Sequence, residues 1–131
     1  MSQTIFRNPP TVKAPGGRYH HAAIVPAGGR TLYLAGQVGY APDGSLPADI
    51  EAQAENTYAN IVRILTDAGM AVTDLVKLNT YLVNLGDYPK IGKFRVKWFG
   101  EHAPPGTLVF VKALAYPELL LEIEGVAVKH A

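Results

Sequence analysis

The sequence predicts an α+β domain in which two helices pack on one face of a mixed β-sheet. Three observations carry that prediction. Two segments repeat apolar residues at helical spacing, each follows a strand-like segment, and the remaining apolar runs are cut into strand lengths by glycine and proline. In order, the segments read β-β-α-β-α-β-β, with no internal repeat and no low-complexity tract. Helices that follow strands in this way cover a sheet as a single layer. The 131 residues fit one domain spanning 1–131, which opens on an irregular arm at 1–12.

Each element has a local cause. Pro9, Pro10, Pro15, Gly16 and Gly17 keep the first 18 residues irregular, with room for one short edge strand. Tyr19 to Val25 is strand-like up to Pro26. The Ala27-Gly28-Gly29-Arg30 turn leads into a second strand from Thr31 to Val38, and the pair reads as a hairpin. After the Pro42-Asp43-Gly44 turn, Ala54, Tyr58, Ile61, Val62, Leu65 and Ala68 form one helical stripe. Asp49 is placed to cap its start, and Gly69 stands where a left-handed residue ends a helix. Leu75 to Leu85 alternates, with Val76, Leu78, Thr80 and Leu82 on one face and Lys77, Asn79, Tyr81 and Val83 on the other. Ile91, Phe94, Trp98 and Phe99 make the second helical stripe, ended by Gly100 and the Pro104-Pro105-Gly106 break. Leu108 to Ala115 and Leu119 to Lys129 are the closing strands, and the short Tyr116-Pro117-Glu118 turn between them predicts a second hairpin.

Composition narrows the function classes. Hydrophobic residues make up 48% and charged residues 18%, enough apolar content for a folded core. Twelve basic and eleven acidic side chains leave a net charge of +1 with no basic run, which argues against nucleic acid as a partner. Cysteine is absent, which removes disulfides, thiol nucleophiles, cysteine-ligated zinc and iron–sulfur clusters. Met1 to Pro10 has no apolar stretch, so no signal peptide is expected there, and no window reaches 18 apolar residues. The expectation is a cytoplasmic protein without a membrane partner. The last strand places Leu120, Val126 and Val128 on the same face as Glu122 and Glu124. A partly apolar second sheet face on so small a domain predicts burial against another copy of the chain.

Few residues are candidates for chemistry. Glu122 and Glu124, two apart in a strand, share a face at about 7 Å. Carboxylates among apolar neighbours can serve as general acid or base. Alternatively, Lys112 or Lys77 on an adjacent strand neutralises one of them. His20 and His21 are neighbours and point to opposite sides of a strand, and His102 and His130 are distant, so no metal site is expected. Gly16-Gly17 and Gly28-Gly29 match no nucleotide-binding fingerprint, and Ser2 and Ser45, the only serines, lie in no nucleophile elbow. Phe94 and Trp98 read as core. Tyr19, at a loop-to-strand junction, either overhangs a cleft or is an ordinary half-buried strand residue.

The pattern of segments resembles a known family. Ala14-Pro15-Gly16 with Tyr19, the strand Leu32-Tyr33-Leu34-Ala35-Gly36-Gln37-Val38, the helix entry Pro47-Ala48-Asp49 with Gln53-Ala54, Asn60-Ile61, and the closing Leu121-Glu122-Ile123-Glu124-Gly125-Val126-Ala127-Val128 are similar to the RidA/YjgF family, also labelled endoribonuclease L-PSP. The likeness runs in order from about Val12 to Lys129. It implies a chorismate-mutase-like α+β fold assembled as a homotrimer, with sheets facing inward and a small-molecule cleft between subunits. It also implies hydrolytic deamination of reactive enamines and imines to a 2-keto acid and ammonia, with no cofactor and no metal.

Carried across by motif, the family's water-positioning glutamate falls on Glu122 and its cleft-lining tyrosine on Tyr19. Its carboxylate-gripping arginine falls on Gly106, a nearby cysteine on Leu108, a serine on Ala35 and an asparagine on Gly92. An arginine–carboxylate contact contributes about 1.5–3 kcal/mol, so its loss weakens recognition of amino-acid-derived enamines. Backbone N–H groups at Thr107 and Leu108, with the Thr107 hydroxyl, are candidate replacements, and Lys112 is a candidate cation. The expected ligand-lining set is Tyr19, Gly36, Gly106, Thr107 and Leu108, with Glu122 catalytic. The alternative is a trimer that binds a small molecule without turning it over.

Overall fold

The computed structural model describes residues 3–131, so Met1 and Ser2 lie outside the described residues. Two short strands, β1 (Ile5–Arg7) and β2 (Ala22–Ile24), pair antiparallel and stand apart from the main sheet. The main sheet contains β3 (Arg30–Gln37), β4 (Leu75–Leu82), β5 (Leu108–Phe110) and β6 (Leu121–Lys129), in the spatial order β3-β6-β4-β5. Helix α1 (Ile50–Asp67) connects β3 to β4, and α2 (Tyr88–Phe99) connects β4 to β5.

Both expected hairpins are absent. β2 pairs with β1 from the arm, matching Ile5 to Ile24, and does not pair with β3. β5 pairs parallel with β4, whereas β6 lies antiparallel between β3 and β4. The physical reason is crossover geometry. Parallel neighbours need a long connection, and α1 and α2 supply two of them, so β3, β4 and β5 all run the same way. Only β6 can then be antiparallel, and its apolar inner face is best covered at the centre: Leu121, Ile123 and Ala127 are fully buried there. The outer strands are also shorter than expected. Tyr19–Val25 reduces to Ala22–Ile24, and Leu108–Ala115 reduces to Leu108–Phe110.

The core lies between the sheet and the two helices. Leu34, Leu75, Leu78, Leu82, Leu121, Ile123 and Ala127 meet Ala54, Tyr58, Ile61 and Leu65 of α1, and Ile91 and Phe99 of α2. Tyr58 and Phe99 join the helices edge to face, with ring centroids 5.1 Å apart. Phe94 and Trp98 are half-buried against this cluster, as their spacing predicts. The Asp49 side chain accepts from Ala52 N at 3.0 Å, and Gly69 ends α1 at φ +72°. Both expected helix signals are therefore in use.

One buried polar residue ties the loops to this core. The Gln53 side chain, fully buried, donates to the Pro47 and Glu118 carbonyls at 2.9 Å each and accepts from Leu120 N at 2.9 Å. Its Thr57 neighbour donates back to the Gln53 carbonyl at 2.7 Å. Replacing Gln53 with leucine leaves two carbonyls and one N–H without partners. The expected cost is about 2 kcal/mol or more, to be read as a lower urea midpoint at unchanged slope.

Candidate functional site

The open face of the sheet carries the polar residues. Along β6, Glu122, Glu124 and Val126 face away from the helices, because Leu121, Ile123 and Ala127 face the core. Lys77, Asn79 and Tyr81 do the same on β4, where Leu78, Thr80 and Leu82 point inward. The register sets Asn79 beside Glu124 and Tyr81 beside Glu122. Both glutamates therefore share one face, as the spacing of two requires.

A bulge on β3 shapes the surroundings of Glu122. Leu34 pairs with Gly125 but Gln37 pairs with Ile123, so Ala35 and Gly36 together oppose Glu124. The bulge presses the Gly36 backbone onto the Glu122 side chain. A Cβ at Gly36 would lie 2.7 Å from Glu122 Cδ and closer still to Oε2. Among the described residues, no side chain donates a hydrogen bond to Glu122 and no cation pairs with it. Its carboxylate rests against a bare stretch of backbone.

Glu124 has a different environment. Its Oε2 accepts from Tyr81 Oη and from Asn79 Nδ2, the latter at 3.4 Å. The Tyr81 hydroxyl is raised above the ordinary phenol value, first by its hydrogen bond to Glu124, then by desolvation and by the charges of Glu124 and Glu122. Through the neutral range, Tyr81 thus remains the donor of this pair. The lysine alternative does not occur. The ion pairs among the described residues are Lys90–Asp87, Lys93–Glu51 and Lys97–Glu55, and neither Lys77 nor Lys112 takes part. Neutral donors on β4 occupy Glu124 instead.

The segment from Pro105 to Leu108 runs along the other edge of β4. Leu78 N donates to the Pro105 carbonyl at 3.0 Å, and Thr80 N donates to the Thr107 carbonyl at 2.8 Å. Gly106 lies so close between them that a Cβ there would stand 2.7 Å from the Leu78 carbonyl carbon and nearer its oxygen. Thr107 N donates to Asn79 Oδ1 at 3.1 Å. That N–H already has a partner, which corrects the expectation that it is available to an anion. Leu108 follows at the start of β5, level with Thr80. Gly106 and Thr107 border a hollow of about 600 Å³ on the open face, together with His21, Tyr33, Lys77 and Val126. Lys77, not Lys112, is the lysine beside Gly106.

The expected site residues thus fall into groups. Gly36 and Glu122 touch. Gly106, Thr107 and Leu108 are linked to Glu124 through Asn79. Tyr19 does not border the hollow itself but contacts His21, which does. It precedes β2 in a loop and lies edge-on to His21 with ring centroids 5.5 Å apart. The Arg18 carbonyl beside it accepts from Arg95 of α2 at 2.9 Å. Gly92, on α2, has open space where a side chain would project. The four histidines each meet a backbone carbonyl: His20 that of Ala103, His21 that of Lys13, His102 that of Leu75, and His130 that of Pro26. Among the described residues, no group of three or more metal-ligating side chains converges. The sequence does not mark Asn79 or Tyr81 as site residues. Their alternation with Leu78 and Thr80 placed them on the open face, but only the β4–β6 pairing brings them to the glutamates.

The family of proteins described as endoribonuclease L-PSP matches residues 11–129, nearly the whole chain. The chain belongs to this family. It is the RidA/YjgF family that the closing Glu-Ile-Glu strand and the Gly36-Gln37 segment resemble. Among L-PSP relatives, a RutC family protein of Pyrococcus abyssi is 34% identical over 92% of this chain and 94% of its own. The human 2-iminobutanoate/2-iminopropanoate deaminase is 31% identical over 98% of this chain and 94% of its own. The crystal structure of the Rid family protein YyfB from Yersinia pestis superimposes with a TM-score of 0.84 at 34% identity, covering 95% of this chain and 97% of that one. The α+β fold, with two helices over a mixed four-stranded sheet, is thus the fold of the L-PSP family. No helix among the described residues is long and apolar enough to cross a membrane.

Proposed function

We propose that the chain is a cytoplasmic homotrimer that hydrolyses a reactive enamine or imine, or a related small metabolite, in a cleft between subunits. The observation that carries this reading is the Glu122 carboxylate, set against Gly36 by the β3 bulge and without a side-chain partner among the described residues. Membership of the L-PSP family and likeness to a human 2-iminobutanoate/2-iminopropanoate deaminase support the reaction class. In it, Glu122 holds a water and takes one of its protons as the oxygen bonds to the imine carbon. That proton passes to the nitrogen, giving a carbinolamine. Glu122 then takes the hydroxyl proton and delivers it to the nitrogen as the C=O bond forms and the C–N bond breaks, so the products are a carbonyl compound and ammonia. Tyr19, Gly36, Gly106, Thr107 and Leu108 line the cleft in this reading, with Tyr19 brought to it by assembly. No cofactor and no metal take part.

One observation favours a second reading, a trimer that binds a small molecule without turnover. Where the family resemblance places a carboxylate-gripping arginine, Gly106 is wedged against Leu78 and the Thr107 N–H is occupied. One experiment separates the two. Imines are generated in situ from several amino acids by a dehydratase and trapped with semicarbazide. An active protein diverts imine to keto acid and slows semicarbazone formation; unchanged trapping for every precursor removes the deaminase reading.

Assembly is tested separately. Light scattering is expected to give a mass near three times the 14.1 kDa chain. A stable monomer would end the intersubunit-cleft proposal.

A further inference from the structure

The contrast between Glu122 and Glu124 extends to the far edge of β4. An asparagine amide has one acceptor oxygen and one donor nitrogen, on opposite arms. The Thr107 N–H needs the oxygen and the Glu124 carboxylate needs the nitrogen, so only one orientation of the Asn79 amide satisfies both. Tyr81, two residues along the same face, donates to the same Glu124 oxygen and holds that carboxylate in place. The result is a continuous chain of donors and acceptors: Tyr81 to Glu124, Asn79 to Glu124, and Thr107 to Asn79. It ends on a weakly held element, since β5 is a three-residue parallel edge strand with all its residues exposed.

We propose that Tyr81, Glu124 and Asn79 form a positioning relay that fixes the Thr107 amide and, through it, the Gly106–Leu108 edge. Glu122 is then the one carboxylate of the pair left for chemistry. The consequence for turnover rests on the hydrolase reading above; the relay itself does not.

Amide hydrogen exchange and kinetics on the full chain test this together. Tyr81→Phe removes the hydroxyl donor. Glu124→Gln makes the Asn79 amide and the new amide compete over orientation. In both variants, exchange at the Thr107 N–H is expected to rise about tenfold, while the Leu78 and Thr80 N–H groups, which donate to Pro105 and Thr107, stay protected. With 2-iminobutanoate generated from threonine by a dehydratase, KM is expected to rise about threefold to tenfold with kcat nearly unchanged. Unchanged exchange at Thr107 overturns the relay. So does an equal rise at Thr80 and Thr107, since that reports only a general loosening. Release of Thr107 without a change in KM overturns the placement of this edge at the cleft. If the wild-type protein does not turn the imine over, the hydrolase reading fails, and exchange still decides the relay.

Discussion

Glu122→Gln is expected to lower kcat for imine hydrolysis by about a hundredfold or more while leaving the fold intact. General acid–base groups contribute roughly 10² to 10⁴ in rate. Glutamine keeps the shape of the side chain but cannot take a proton from water at neutral pH. The stability part follows from geometry. Glu122 has no side-chain hydrogen bond or ion pair to lose among the described residues, so unfolding should stay within about 0.5 kcal/mol of wild type. Glu124→Gln, by contrast, disturbs two hydrogen bonds to its neighbours on β4. A companion variant probes position rather than chemistry. In Gly36→Ala the new methyl overlaps the Glu122 carboxylate, and that side chain can swing away because its far end is flexible. Activity should fall with little change in stability. If Glu122→Gln retains wild-type turnover, Glu122 is not the acid–base group.

Gly106→Arg is expected to destabilise the protein and to restore no carboxylate recognition. The family resemblance makes this the natural reversal, yet the backbone does not admit it. Any Cβ at position 106 runs into the carbonyl group of Leu78, which is main chain within β4 and cannot rotate away. The segment must lift off the strand, at the expense of the Leu78–Pro105 and Thr80–Thr107 hydrogen bonds. Each contributes about 1 kcal/mol, and relief of the overlap adds strain, for a total of about 3 kcal/mol. A lower urea midpoint is the readout, with Gly106→Ala expected to show most of the same loss. An arginine variant as stable as wild type would mean that the segment has a second backbone path.

The sequence and the structure agree where signals are local. Asp49 and Gly69 mark the ends of α1 because a cap and a left-handed terminator act on residues within one turn. The alternation names the core-facing residues of β6 and of β4 from Leu78 onward, since side-chain direction in a regular strand follows parity. At the start of β4 an irregularity between Leu75 and Lys77 breaks it, so Leu75 is in the core and Val76, expected inward, borders the open-face hollow. The same parity sets Glu122 and Glu124 on one face. The hairpins fail for the complementary reason. Tyr116-Pro117-Glu118 is short enough for a tight turn, but β6 gains more by lying between β3 and β4 than by folding back on a three-residue edge strand.

By itself the sequence determined two helices, the first with its cap at Asp49, a sheet with an apolar inner face and a partly apolar outer one, and a pair of carboxylates on that outer face. Pairing of distant strands decided the rest: the Gly36 bulge against Glu122, Asn79 and Tyr81 beside Glu124, and Gly106 held tight to Leu78. Periodicity and capping act between residues a few positions apart and leave their trace in order and spacing. Strand partners are chosen by how much apolar area the whole sheet can bury, and that quantity belongs to residues 28 or more positions apart in the main sheet.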